Sequence, residues 1–107
     1  MKFKPAVDYN EWLYEQLKDP ELASGYLNDA LKEGDKDGFL LALKQVLIAQ
    51  GGMMKISDKT KMNRVSLYKM LSKNGNPGLE NIMKLLQTAG VRFQIVPKSF
   101  SKRKKAA

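Results

Sequence analysis

The stretch DGFLLALKQVLIAQGG, residues 37–52, constrains the fold of this chain more than any other part of it. As a helix it carries apolar side chains around most of its circumference, and such a helix must be covered by other elements on several sides. A chain of 107 residues has room for one compact domain with a modest core. We therefore expect the central helix of one helical domain, built from Phe39, Leu40, Leu41, Leu43, Val46, Leu47 and Ile48.

Two helices are predicted before the central one, over DYNEWLYEQLK and DPELASGYLNDALKEG. The second has Asp19 as its N-cap and Pro20 at its first helical position, where the missing N–H costs nothing. Gly34 supplies its stop. Gly25 inside this helix should cost about 1 kcal/mol relative to alanine, unless another element packs closely there.

The end of the chain predicts one more helix, over LENIMKLLQTAG, and the only strand candidate, VRFQIV, in which Val91, Phe93 and Ile95 alternate with polar residues. A lone strand is not stable by itself. It either lies along the helical domain or pairs with the same strand of a second subunit, which would make a two-fold dimer. The predicted fold class is therefore all-α, with five to six short helices and one short C-terminal strand.

The chain is predicted to divide into three regions. Residues 1–36 form an N-terminal helical extension and possible partner-binding surface, and residues 37–97 form the main domain with its terminal strand. Residues 98–107 carry five basic groups and no core pattern, so we expect a disordered basic tail.

Composition excludes most kinds of catalytic and metal site. The chain contains no cysteine and no histidine, which removes disulfides, thiolate metal ligands and the commonest general base. We therefore expect that the protein is not an enzyme and that it binds no metal, cofactor or small-molecule ligand. No apolar run approaches the roughly 18 residues of a membrane span, and MKFKPAVDYN lacks the apolar stretch of a secretory signal. These features favour a cytoplasmic protein.

Charge is divided unevenly along the chain. Residues 1–37 hold nine of the eleven acidic groups against five lysines, a balance of −4. The remainder holds fourteen basic groups against two acidic ones, a balance of +12. A basic half of this size suggests an anionic partner, and the acidic half suggests a second surface with a different partner. Plain solubility charge is the simpler interpretation.

The segment from Met53 to Ser72 predicts two short helices joined by a tight turn, an arrangement that reads DNA when the second helix has a polar, basic outer face. Counted from Met53, the inner contacts of such a unit fall at its fourth, eighth, tenth, fifteenth and eighteenth positions. The chain places apolar residues or a threonine at all five: Ile56, Thr60, Met62, Leu67 and Met70. The same spacing also suits any helical hairpin with a merely solvated basic face.

Asn63 stands at the N-cap of the second helix, and the residues after it form its outward face. Arg64 suits a bidentate contact to guanine, Ser66 a small hydrogen-bonding contact, and Val65 a thymine methyl. The nearby lysines suit phosphate neutralisation: Lys55, Lys59, Lys61, Lys69 and Lys73.

From about Asp19 to Val96 the sequence resembles the addiction-module antidote family of helix-turn-helix antitoxins, which are HigA-like and have a lambda-repressor-like fold. The resemblance is carried by DPELASGYLNDALKEGD, FLLALKQVLIAQGGM, SLYKMLS, GNPGLENIMKLLQTAG and VRFQIV. It implies a small cytoplasmic DNA-binding protein that binds and neutralises a toxin of the RelE-like or HigB-like class. It also implies repression of their shared promoter.

The chain departs from the family pattern at three positions. Met54 occupies a helix-start position where the family usually has serine or threonine, so that helix lacks a side-chain cap, a loss on the order of 1 kcal/mol. Ser57 replaces the usual alanine, a mild change. Lys61 stands where the turn usually has glycine, and a left-handed lysine there costs about 1 kcal/mol.

Five of the nine aromatic residues lie in the acidic N-terminal part of the chain. The first helix has an apolar stripe at Tyr9, Leu13 and Leu17, and Tyr14 lies off that stripe. Because aromatic residues dominate interface energies, we expect residues 8–18 to hold a basic toxin, with Tyr9, Trp12 and Tyr14 as anchors. The alternative is that these aromatic residues simply complete a small core.

The predicted mechanism places two copies of the helix 63–72, one from each subunit of a homodimer, in successive major grooves about 34 Å apart, over an inverted-repeat operator in double-stranded DNA. Two rival functions remain open. One is a solitary prophage-type repressor without a toxin. The other is an interaction protein that binds a toxin and has a vestigial DNA-binding unit, for which Met54 and Lys61 are the supporting features.

Overall fold

The computed structural model describes residues 5–98, and within this range the chain forms six α-helices and no strand. Their bounds are α1 Pro5–Leu17, α2 Pro20–Glu33, α3 Lys36–Ala49, α4 Gly52–Thr60, α5 Arg64–Met70 and α6 Leu79–Thr88. The predicted all-helical fold with five to six helices is confirmed. Of the predicted basic tail, all residues from 99 onward lie outside the described range.

The beginning and end of α2 are set by the residues that the sequence indicated. The Asp19 carboxylate accepts a hydrogen bond from the backbone N–H of Glu21 at 3.0 Å, and Pro20 occupies the first helical position. Gly34 ends the helix in the left-handed conformation, with φ 73°. Asp35 then caps α3 in the same way, accepting from the backbone N–H of Asp37 at 3.2 Å.

Helix α3 is the central helix, as predicted, and it packs against α1, α2 and α4. Six of its residues are buried: Phe39, Leu40, Ala42, Leu43, Val46 and Leu47. Leu41 differs from the other apolar residues of this helix, because its side chain is 55% exposed and lines an open groove. The same core includes Leu13 and Leu17 from α1, so the N-terminal residues and the rest of the domain share one hydrophobic core.

No other element packs closely against Gly25, so close packing does not explain the glycine at this position. A Cβ atom added there would meet no atom within 4 Å, and the residue is exposed. The glycine therefore gives α2 no packing advantage in return for its conformational freedom.

The junction of α3 and α4 turns sharply. Gly51 and Gly52 both have positive φ, 128° and 90°, a conformation that glycine adopts without steric cost. In the described residues no single helix is long and apolar enough to cross a membrane. The pair α3 and α4 together has the length and composition, but it bends by 93° at this junction.

The strand predicted at VRFQIV is not formed in the single described chain. Residues 91–97 have no regular secondary structure. Val91 packs partly buried against the core, and Phe93 lines a small pocket together with Asn28 and Leu31 of α2. The segment therefore follows the helical domain without the ladder of hydrogen bonds that a neighbouring strand would supply.

Candidate nucleic-acid interface

Helices α4 and α5 are joined by a turn of three residues, 61–63, and their facing sides enter the core. Ile56, Thr60 and Leu67 are buried, and Met62 and Met70 are partly buried against the same core. All five positions predicted to be inner contacts therefore face inward. Because α5 has only seven residues and fully buries only Leu67, most of its surface points away from the domain.

The turn is closed by side-chain hydroxyl groups around a strained lysine. Lys61 has φ 65°, in the left-handed region, as expected from its place in the turn. The Ser57 hydroxyl donates to the Met62 carbonyl at 2.5 Å. The Thr60 hydroxyl donates to the Ile56 carbonyl at 2.7 Å and accepts from the Met62 N–H at 3.2 Å. Ser57, expected to be a mild replacement of alanine, therefore contributes a hydrogen bond that holds this turn.

The expected position of Met54 at the start of α4 is wrong. The N-cap residue is Gly51, and α4 begins at Gly52, so that Met54 already lies inside the first turn with its side chain 64% exposed. The pair of glycines ends α3 and begins α4 within two residues, which moves the helix start towards the N-terminus. The predicted lack of a side-chain cap on α4 is confirmed, because Gly51 has no side chain to accept a hydrogen bond.

Asn63 caps α5 as predicted. Its side-chain oxygen accepts hydrogen bonds from the backbone N–H of Val65 at 2.7 Å and of Ser66 at 3.3 Å. These two donors have no partner inside the helix, so the cap stabilises its first turn. As a result, the side chains immediately after Asn63 have a defined starting point on the surface.

The outward face of α5 contains the residues that the sequence selected for base and phosphate contacts. Arg64, Val65, Ser66 and Lys69 are all exposed, and Val65 is exposed to 74% although it is apolar. The lysines expected to neutralise phosphate are exposed as well: Lys55, Lys59, Lys61 and Lys73. Between residues 52 and 73 there are six basic groups and one acidic group, so the surface around the turn is strongly positive.

Tyr68 also lies on the exposed side of α5, and the sequence reasoning did not select it. Its side chain is 48% exposed, and the ammonium group of Lys44 on α3 lies 5.6 Å from the centroid of its ring. The sequence did offer a signal, because Tyr68 is an aromatic residue directly after Leu67, in a helix whose other outward residues are mostly polar. Its partner was not visible, because it is distant in sequence.

The N-terminal aromatic residues form a second surface on α1. Leu13 and Leu17 of the apolar stripe are buried, whereas Tyr9, at the start of the same stripe, is 55% exposed and Trp12 is 56% exposed. The Tyr9 and Trp12 rings pack on each other, with centroids 5.9 Å apart, and Tyr14 is half-buried. Tyr9 and Trp12 therefore pack mainly on each other at the surface and are not part of the buried core.

Tyr26 lies beside this aromatic group and links α2 to α3. Its hydroxyl donates to the Gln45 side-chain carbonyl at 2.6 Å. Burial raises the pKa of the Tyr26 phenol above its usual value, and the nearby Tyr9 and Tyr14 raise it further. Tyr26 and Gln45 also line an open groove of about 340 Å³ between α2 and α3, with three carboxylates around it: Asp29, Glu33 and Asp35.

Comparison with known proteins identifies one family and one relative. The family model described as "Probable addiction module antidote protein" matches residues 9–97, which include most of α1 and all of α2 to α6. A protein of Haemophilus influenzae, described as uncharacterized, is 32% identical over 96 residues, covering 81% of this chain and 98% of the relative. No solved structure matches the chain.

Proposed function

This chain belongs to the family of probable addiction module antidote proteins, and from that premise we propose that it is the antitoxin of a type II toxin–antitoxin module. It binds and neutralises a toxin of the RelE-like or HigB-like class in the cytoplasm. It also represses the shared promoter by reading DNA in the major groove, as the lambda-repressor-like helix-turn-helix proteins do. In this proposal the protein is not an enzyme and requires no cofactor.

The observation that supports DNA reading best is the outward face of α5. A short helix that fully buries one residue and displays Arg64, Val65, Ser66 and Lys69 offers a groove-sized, polar and basic surface. Arg64 contacts guanine, Val65 a thymine methyl and Ser66 a base edge, whereas Lys69 and the neighbouring lysines contact phosphate. Val65 is apolar and 74% exposed, so contact with a thymine methyl would remove its apolar surface from water, which is favourable.

A homodimer completes this mechanism by placing α5 from each subunit over one half of an inverted repeat, about 34 Å apart. The segment that begins with Val91 is the proposed dimer contact. Phe93 is 40%, Ile95 97% and Val96 43% exposed, so these apolar side chains are only partly covered, or in the case of Ile95 uncovered, in the single chain. A second copy of the segment would cover them and supply the missing strand partner.

The proposed toxin contact is the aromatic surface of α1, with Tyr9 and Trp12 as exposed anchors and Tyr14 beside them. Large aromatic side chains that are already packed on each other lose little conformational freedom on binding. The acidic groove between α2 and α3 lies close by through Tyr26 and suits the attraction of a basic partner.

DNA reading is tested by measuring the affinity of purified protein for the DNA upstream of its own gene and for random duplex. Arg64→Ala should cost about 1 to 3 kcal/mol on the specific site and relax selection at one base position in each half-site. Lys69→Ala is the matched control, and it should weaken binding to both DNAs by a similar factor. Equal losses for Arg64→Ala on the two DNAs would contradict the assignment.

The toxin contact is tested by co-expression with the product of the adjacent gene, followed by pull-down and a binding titration. Trp12→Ala should weaken the complex at least tenfold, because truncation of an aromatic anchor typically costs about 2 kcal/mol or more. Leu79→Ala is the control, since Leu79 is 65% exposed on α6, away from α1. Unchanged affinity for Trp12→Ala would remove α1 from the interface. A neighbourhood without a small toxin gene would favour the solitary prophage-type repressor.

A further inference from the structure

Two lysines of the central helix α3 contact α5 and the loop that follows it. The Lys44 ammonium lies 5.6 Å from the centre of the Tyr68 ring, a distance at which a cation and an aromatic face attract each other. The Lys36 ammonium donates a hydrogen bond to the Gly75 carbonyl at 2.9 Å, over 39 residues of sequence. Both lysines lie on α3, about 12 Å apart along its axis at 1.5 Å per residue.

The loop that Lys36 holds is packed directly against the end of α5. Gly75 is buried, and its N–H donates to the Ser72 carbonyl at 2.9 Å. A Cβ atom added to Gly75 would lie 2.0 Å from the Met70 carbonyl oxygen, so only glycine allows this approach. The backbone of the loop at Gly75 therefore lies directly against the last turn of α5.

Helix α5 needs such contacts because its own burial is small. It has seven residues, too few for stable helix formation in isolation, and Leu67 is its only fully buried side chain. Lys44 holds its middle through Tyr68, and Lys36 holds its end through the loop at Gly75. Besides Leu67, only Met70 and the C-cap residue Leu71 pack against the core, and all three lie on one face of the helix. Contacts at two further points restrict the rotation of α5 about that face.

We propose that Lys36 and Lys44 are positioning residues, which fix the orientation of α5 for sequence reading and do not themselves contact phosphate. This inference rests on the proposed DNA-reading function of α5. A shift of about 1 Å in the Arg64 side chain is enough to break a bidentate contact to guanine, whose geometry is strict. Contacts to phosphate tolerate such a shift, because they depend mainly on charge. Loss of the positioning contacts therefore lowers selectivity more than affinity.

The test compares Lys36→Met, Lys44→Met and the double variant with the natural chain. Preference for the protein's own upstream DNA over random duplex should fall on the order of tenfold for the double variant, while affinity for random duplex changes by less than about twofold. The slope of log affinity against log salt concentration should stay unchanged, because no phosphate contact is lost. Lys44→Arg should restore the preference, since a guanidinium also binds an aromatic face.

A pair of variants at Tyr68 tests the same contact from the other side. Tyr68→Phe keeps the aromatic face and should keep the preference, whereas Tyr68→Leu should lose it as Lys44→Met does. Hydrogen exchange without DNA gives an independent measurement. The amides of residues 67–71 should exchange faster in the double variant than in the natural chain, with the α3 amides unchanged.

Two results would overturn the proposal. One is a salt slope reduced by about one unit per lysine with the preference unchanged, which would make the lysines phosphate ligands. The other is unchanged exchange in residues 67–71, which would show that they do not hold α5. If the natural chain has no preference for its upstream DNA, the proposed function fails, and the exchange measurement still decides whether the lysines position α5.

Discussion

At the scale of single residues, Lys61 is the one residue other than glycine in the described range whose backbone has a positive φ. Its φ of 65° places its backbone in the left-handed region, where the Cβ atom crowds the following carbonyl oxygen at a cost of roughly 1 to 2 kcal/mol. The structure compensates with the hydroxyl groups of Ser57 and Thr60, which bond the backbone of Met62 from both sides. The turn is therefore stabilised by its neighbours in spite of the lysine.

Lys61→Gly should increase the free energy of unfolding by about 0.5 to 1 kcal/mol, because relief of the left-handed strain exceeds the extra freedom of glycine in the unfolded chain. Urea denaturation followed by circular dichroism measures the change. Lys55→Gly is the control, since Lys55 is exposed inside α4, where glycine should cost about 1 kcal/mol. A loss of stability in both variants would show that the left-handed strain is not relieved.

At the scale of the helices, α2 is well capped at both ends, but a glycine in its interior lowers its stability. Asp19, Pro20 and Gly34 define its ends, whereas Gly25 lies in its exposed interior with free space where a side chain would be. Nothing in the structure explains a glycine at this position.

Gly25→Ala should stabilise the protein by about 0.5 to 1 kcal/mol, since alanine restricts the unfolded chain and fits the helix without a clash. Thermal denaturation should show a midpoint higher by a few degrees for a domain of this size. Gly75→Ala is the informative contrast, because the added Cβ would collide with the Met70 carbonyl and should destabilise the protein by about 1 to 3 kcal/mol. A similar effect at both positions would contradict the difference in packing.

At the scale of the whole molecule, Tyr26 connects three helices, because it bonds Gln45 of α3 from α2 and lies near the aromatic residues of α1. Its raised pKa means that the folded state favours the neutral phenol. The stabilisation is therefore fully present below the usual tyrosine pKa of 10.0 and is lost as the pH rises through the higher folded value.

As the pH rises above the usual tyrosine pKa of 10.0, the free energy of unfolding should accordingly fall more steeply in the natural chain than in Tyr26→Phe. Chemical denaturation at several pH values measures both slopes, and subtracting them removes the contribution of the other titrating groups. Tyr68→Phe serves as the control, because the Tyr68 hydroxyl is not part of this contact. Identical slopes for the natural chain and Tyr26→Phe would contradict the role assigned to burial.

The proposed dimer is also a property of the whole molecule. Light scattering should give twice the 12.1 kDa mass of the chain at the concentrations where operator binding is seen. Ile95→Lys should return the mass to that of one chain, because it places a charge where two apolar segments would meet. Lys98→Ala, just beyond the segment, should leave the mass of the dimer unchanged. A single-chain mass under conditions of specific DNA binding would rule out this dimer.

Much of the architecture follows from local patterns in the sequence. The six helices, the caps at Asp19 and Asn63, and the inward and outward faces of α5 depend on residues within a few positions of one another, so spacing alone predicts them. The resemblance to antidote proteins likewise rests on contiguous motifs, and the family match confirms it.

Contacts between distant residues were decided only by the tertiary structure. The hydrogen bond from Lys36 to Gly75 and the cation–π contact of Lys44 with Tyr68 join α3 to α5 and its loop, and no periodicity in the sequence indicates such pairs. The exposure of Tyr9 depends in the same way on how α1 sits on the core. The sequence by itself determined which helices form and which family the chain belongs to, because capping and periodicity are local. The tertiary structure decided how α5 is held, because that depends on side chains brought together only by folding.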